Sequence, residues 1–184
     1  MIKDGQGGGN TRTGLIFEGK NDLGTFLSTQ EGYVVRDDIV YYRDEEVAKV
    51  FKKHGFYDIL KSMDIDWKNI VSRQILPDDG IYVMSNKTMF IIEYKFQQTE
   101  GSVDEKLQTC DFKKKQYQKV LSSAKIEVNY IYVLSKWFEQ QKYKDVLDYI
   151  ISVGCDYYFE SIPLEILGLP VPETTEGTDL CGKK

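Results

Sequence analysis

Between Thr88 and Gln97 the chain reads Thr-Met-Phe-Ile-Ile-Glu-Tyr-Lys-Phe-Gln. In an extended strand successive side chains point to opposite faces, so Glu93, Lys95 and Gln97 share one face and Ile92, Tyr94 and Phe96 the other. One face is greasy; the other lines up a carboxylate, an ammonium and an amide. A short turn at Ser85-Asn86-Lys87 would fold the preceding segment back as a hairpin partner and bring Asp78 toward Glu93. Two converging carboxylates repel unless a cation or a proton sits between them. With oxygen ligands alone the expected ion is Mg²⁺, held by one or two carboxylates and completed by waters and substrate phosphates. A lysine two residues from such a glutamate is placed to hold an attacking water or to stabilise charge on a phosphate oxygen. That equipment suits phosphodiester hydrolysis.

The elements that must position these groups follow from periodicity and breakers. Residues 1–12 are Gly-rich and polar, and 170–184 carry Pro, Thr, Glu and Gly, so both ends are expected to be irregular. Leu15, Ile16, Leu23, Phe26 and Leu27 predict a helix over Thr13–Ser28. A short strand is expected in Tyr33–Tyr42, a helix over Asp44–Lys53 closed by Gly55, and another helix in Tyr57–Val71. Ile75–Ser85 reads as a strand interrupted by Pro77-Asp78-Asp79-Gly80, and Thr88–Gln97 as its partner. Val103, Leu107, Cys110, Tyr117 and Leu121 then lie along one side of a helix over Asp104–Ala124. Ile126–Leu134 is a strand, Phe138–Val153 a helix and Cys155–Phe159 a final short strand. This order predicts one α/β domain over 1–184, a mixed central sheet with helices on its faces.

Pro77-Asp78, fourteen intervening residues, then Glu93-Tyr94-Lys95 resembles the PD-(D/E)XK nuclease superfamily and its restriction-endonuclease-like core. The stretch Ile92-Glu-Tyr-Lys-Phe-Gln-Gln, followed by Gly101-Ser-Val-Asp-Glu-Lys-Leu-Gln-Thr, is similar to type II restriction endonucleases in particular. The resemblance extends over roughly Thr11 to Leu167 in element order, although only these short pieces are distinctive. It implies that Asp78, Glu93 and the Tyr94 backbone carbonyl hold Mg²⁺ and that Lys95 orients or activates water. It also implies that Glu18, in Thr-Gly-Leu-Ile-Phe-Glu, assists the metal or the water. Asp79 is an alternative to Asp78, because strand geometry decides which of the two points inward. The implied product ends are a 5′-phosphate and a 3′-hydroxyl; the implied partners are double-stranded DNA, a second copy of the chain and a companion methyltransferase.

Composition limits the alternatives. The 184 residues carry 24 Lys+Arg against 29 Asp+Glu, a net charge of −5, with 41 % hydrophobic and 29 % charged residues. Those figures suit a folded domain and exclude global disorder. Yet Lys87–Lys125 holds eight lysines against five acids, a local +3, which leaves −8 elsewhere. An acidic chain can still concentrate cations where a polyanion docks. No apolar run approaches a membrane span, and Met1–Gly9 lacks the apolar stretch of a secretory signal. Cys110, Cys155 and Cys181, without CxxC spacing, fit a reducing cytoplasm and neither a disulfide framework nor a Cys-rich zinc site. A single histidine, His54, excludes HExxH and imidazole-rich metal chemistry; beside Gly55 it is expected to cap a helix C-terminus.

Three other patterns carry less. Gly14-Leu-Ile-Phe-Glu-Gly-Lys20-Asn21 departs from a phosphate-binding loop at Asn21, has an apolar interior and follows no strand. Gly80-Ile81-Tyr82 opens like a GIY-YIG nuclease but has no Tyr-Ile-Gly at the required short distance. Lys113, Lys114, Lys115 and Lys119 suit either phosphate contacts or a solvated helix face. The sequence therefore points first to a Mg²⁺-dependent, site-specific endodeoxyribonuclease. A structure-directed or repair nuclease of the same fold is the alternative, and a non-cleaving DNA-binding subunit is the third.

Overall fold

The computed structural model describes residues 16–17, 22–97 and 103–172. Its centre is a seven-stranded sheet in the order β2-β3-β4-β5-β6-β7-β8, comprising Tyr33–Arg36, Ile39–Tyr42, Glu45–Phe51, Asp79–Val83, Thr88–Lys95, Glu127–Leu134 and Asp156–Phe159. Strands β2 to β6 pair antiparallel, whereas β6–β7 and β7–β8 pair parallel. Parallel neighbours need a crossover. α3 (Val103–Leu107) and α4 (Cys110–Leu121) lie between β6 and β7 in the chain, and α5 (Lys144–Ser152) lies between β7 and β8. A separate pair joins β1 (Ile16–Phe17) to β9 (Ile162–Pro163). The mixed sheet flanked by helices is thus the architecture expected.

Each face of the sheet buries its own cluster. On one, Phe51, Met89, Ile91, Val128 and Tyr130 pack with Phe56, Ile59 and Leu60 of α2 (Gly55–Ser62), with α4, and with Leu147 and Ile150 of α5. Leu107, Cys110, Tyr117 and Leu121 of the expected helical stripe are fully buried here, while the Val103 side chain lies outside the described residues. On the other face, Val40, Ala48, Val50, Ile81, Phe90, Ile92 and Ile131 meet Leu23 and Leu27 of α1 (Leu23–Ser28) and Leu164 and Leu167. Covered on both sides, the central strands are apolar almost throughout.

Several local expectations are corrected. Thr13–Ser28 is not one helix: Ile16–Phe17 pair with β9, and among the described residues of that span only Leu23–Ser28 is helical, capped by Asp22, whose carboxylate accepts from the Thr25 N–H at 2.9 Å. Tyr33–Tyr42 is two strands, because Asp37 and Asp38 take φ of 49° and 63° and form a two-residue reversal. Arg43 and Asp44 repeat the device at φ 49° and 67°. Paired left-handed residues suit the right-handed twist of a hairpin. The chain therefore leaves that turn as β4, so the segment expected as a helix over Asp44–Lys53 is instead built on the strand Glu45–Phe51, paired with β3 and β5. His54 consequently precedes α2 and makes no side-chain cap bond; it closes no helix C-terminus.

Other elements are shorter than expected. Asp64 at φ 56° follows the end of α2, and Trp67–Asn69 is a separate 3₁₀ turn. The strand expected over Ile75–Ser85 is confined to Asp79–Val83. Gln108-Thr109 separate α3 from α4, and two 3₁₀ turns, Lys136–Glu139 and Gln141–Tyr143, precede α5. Among the described residues no helix is long and apolar enough to cross a membrane.

Candidate active site

β5 and β6 pair with Asp79 opposite Ile92, so Asp78, one step before β5, stands across from Glu93. Alternation then sends Asp78 and Glu93 to the α4 side of the sheet and Asp79 and Tyr94 to the α1 side. Gly80 allows this edge to close. A Cβ there would meet the Phe51 ring and stand 2.8 Å from the Phe90 carbonyl oxygen.

Lys95 joins the two acids. Its ammonium donates to Glu93 Oε2 at 3.0 Å and to the Tyr94 carbonyl oxygen at 3.1 Å, and stands 3.6 Å from Asp78 Oδ2. The same nitrogen lies 5.8 Å from the centroid of the Tyr132 ring. Two further lysines complete the cluster. Lys53, between β4 and α2, donates to Asp78 Oδ1 at 2.6 Å, and Lys113 of α4 donates to Glu93 Oε2 at 3.0 Å. Asp78 Oδ2 also accepts from the Tyr94 N–H at 3.1 Å. Burial pushes the Asp78 carboxyl up, but the Lys53 bond, the Lys95 charge and the Tyr94 N–H together hold it below the ordinary carboxylate range. Glu93 is only 4 % exposed, and a charge that buried requires partners.

Asp79 has a different environment. Its carboxylate accepts from the N–H groups of Leu23 and Gly80, each at 2.9 Å, and from the Tyr94 hydroxyl at 3.3 Å. Burial outweighs these bonds and pushes its pKa up to about 6. The carboxylate ties β5 to the start of α1.

Of the residues singled out from sequence, the structure brings Asp78, Glu93, Lys95 and the Tyr94 carbonyl together and turns Asp79 away. Glu18 lies outside the described residues. Gln97 shares its backbone with Ser135, whose hydroxyl accepts from the Gln97 N–H and donates to its carbonyl. The lysine run divides: Lys113 enters the cluster, Lys114 donates to the Gly154 carbonyl, and Lys115 pairs with Asp111. Sequence reasoning missed Lys53 altogether and treated Lys113 only as one of a run.

The three oxygens around the Lys95 ammonium are the Asp78 carboxylate just before β5, the Glu93 carboxylate of β6 and a backbone carbonyl. They already accommodate one cationic group, and as hard oxygen donors they are the chemistry Mg²⁺ takes. Among the described residues no group of three or more His, Cys, Asp or Glu forms a metal-binding cluster. The donor set that fits is therefore two carboxylates and a carbonyl, with water and phosphate oxygens completing it.

A family model described as a PD-(D/E)XK nuclease superfamily domain matches residues 41–128. That span contains Lys53, Asp78, Glu93, Lys95 and Lys113, and it runs from β3 into β7. No curated protein and no solved structure matches the chain. The mixed sheet with flanking helices agrees with the restriction-endonuclease-like fold of that superfamily. Nucleases of this kind generally use divalent metals. Residues 41–128 of the chain therefore carry a PD-(D/E)XK nuclease superfamily domain.

Proposed function

We propose that the protein is a Mg²⁺-dependent endonuclease that cuts double-stranded DNA at a short fixed sequence, as type II restriction enzymes do, leaving 5′-phosphate and 3′-hydroxyl ends. The observation that carries this reading is the Lys95 ammonium held among Asp78, Glu93 and the Tyr94 carbonyl. Those oxygens would hold Mg²⁺, which when bound supplies charge neutralisation at the scissile phosphate. Asp78 and Glu93 present their carboxylates from adjacent strands, so the sheet fixes their separation. Lys95 orients the attacking water and stabilises charge building on the phosphate oxygens. Glu18 is assigned an assisting role on the strength of the resemblance alone.

The resemblance of Ile92–Gln98 and Gly101–Thr109 to type II enzymes supports the choice of substrate. Two strands need two cuts, and a two-fold homodimer supplies two active sites on a palindromic site. A companion methyltransferase protecting the same sequence, and a cytoplasmic setting in which the buried Cys110 and Cys155 stay reduced, complete the proposal.

The test is incubation of plasmid and phage DNA with Mg²⁺, followed by sequencing of fragment ends. Breaks at one recurring sequence are expected. Preference for branched over plain duplex would favour a structure-directed nuclease instead. Intact DNA at every protein concentration would leave a non-cleaving subunit.

A further inference from the structure

Among the described residues, two carboxylates at the site face three ammonium groups, and only Lys95 belongs to the strand that bears Glu93. The other two come from elsewhere. Lys53 lies 25 positions before Asp78 and Lys113 lies 20 positions after Glu93. The i,i+4 pairs Lys115–Asp111 and Lys144–Asp148 are, by contrast, local pairs within single helices. Local pairs of that kind are common and weak.

The lysine positions are fixed from behind. Lys53 takes a left-handed conformation at φ 47°, and its N–H donates to the Pro77 carbonyl at 3.1 Å, so backbone and side chain both reach the Pro77-Asp78 segment. Lys113 projects from a helix anchored by the buried Cys110 and Tyr117. The side chains of Lys53 and Lys113 are 55 % and 27 % exposed, against 14 % for Lys95. The two outer lysines therefore sit at the open rim, where a polyanion would arrive.

Among the described residues, two acids and three lysines at the site sum to one positive charge. A divalent cation on the acids raises that to three and sets the cation against the ammonium groups. The strongest anions then within reach are substrate phosphates, which a lysine binds as a flexible point charge. Resting on the nuclease reading, we infer that Lys53 and Lys113 are phosphate contacts held in reserve by Asp78 and Glu93. A divalent cation releases them to DNA, and this exchange couples metal binding to DNA binding. By linkage the coupling is reciprocal: bound DNA tightens the metal by the same factor.

The double variant Lys53→Met/Lys113→Met, with each single variant beside it, tests the exchange. Mn²⁺ is titrated calorimetrically into the DNA-free proteins. Removing two competing cations is expected to tighten Mn²⁺ by about fivefold or more, the lower range of measured couplings. DNA binding is then followed by anisotropy of a labelled duplex across a salt series, with and without Ca²⁺. In Ca²⁺ the double variant is expected to lose about two from the log–log salt slope, roughly 0.9 for each lost phosphate contact. Without Ca²⁺ the slopes of variant and parent should coincide. Unchanged or weaker Mn²⁺ binding in the variants, or a slope difference equal with and without Ca²⁺, overturns the exchange. If the variants tighten Mn²⁺ but the parent neither binds nor cuts DNA, the nuclease reading falls, and with it the DNA half of the inference.

Discussion

Lys95 Nζ stands 3.0 Å from Glu93 Oε2 on the same face of β6, two residues along one strand. The Lys95 side chain is 14 % exposed and that of Glu93 5 %, so the pair offsets part of the cost of taking both charges out of water. Replacing Lys95 by Met keeps the stem and removes the charge. Cleavage in Mg²⁺ should fall by at least about 10²-fold, the size of losing one preorganised charge stabiliser. Ca²⁺-supported DNA binding should stay near the parental level. Single-turnover cleavage and anisotropy check the two arms, and cleavage at the parental rate would remove Lys95 from the mechanism.

The neighbours Asp78 and Asp79 separate by face, and their substitutions should separate by phenotype. Asp78→Asn and Glu93→Gln should each abolish detectable Mn²⁺ binding in the calorimeter, together with turnover. Asp79→Asn should keep both, because its carboxylate is engaged with Leu23, Gly80 and Tyr94 on the α1 side. Active Asp78→Asn with inactive Asp79→Asn would shift the ligand by one residue.

Asp79 also makes stability depend on pH. Its pKa is raised by burial from 3.8 to about 6, so in that window the native state holds a proton that the unfolded chain has released. Unfolding free energy therefore falls as pH rises through the window. The contribution is whole below the unfolded value and gone above the folded one, about 3 kcal/mol in size. Asp78, held below its ordinary range, works in the opposite direction, losing its contribution as pH falls. The informative quantity is thus the difference between parent and Asp79→Asn in urea unfolding. The parent's relative stability should be greatest near about pH 4 and decline by about 3 kcal/mol toward neutrality. A difference flat with pH would mean that Asp79 keeps an ordinary pKa in the fold.

The facing of Glu93 and Lys95 was legible because alternation along one strand is a local property, and a short turn fixes the register of its neighbour. Asp78 followed from the same register, while the choice over Asp79 needed the position of α1. The strand Glu45–Phe51 was not legible. Glu45, Glu46, Ala48 and Lys49 favour helices, and only the pairing with β3 and β5 overrides them. The signal that could have corrected it is the pair of two-residue turns, Asp37-Asp38 and Arg43-Asp44, ten residues or fewer upstream. Lys53 was invisible for the same reason: a residue after a presumed helix cannot be aimed at a strand end. Lys113 was hidden in a run whose members point to three different partners.

Gly80 offers the most direct check on how closely the site edge is packed. It pairs with Phe51 on β4 and Ile91 on β6, with the Phe51 ring lying over its Cα. A methyl group there would push into that ring and against the Phe90 carbonyl, and the carbonyl belongs to the ladder and cannot swing aside. Gly80→Ala should destabilise by about 1–3 kcal/mol, the usual cost of overpacking. It should also displace Asp78, two residues back on the same face, and so weaken Mn²⁺ binding. Phe51→Leu in the same chain shortens the obstructing side chain and should recover part of the stability, leaving the share due to the Phe90 carbonyl. Neighbours that share one space are not additive, so urea unfolding of the two single variants and the double variant should give a favourable coupling energy. Additive losses would show that the ring does not crowd Gly80.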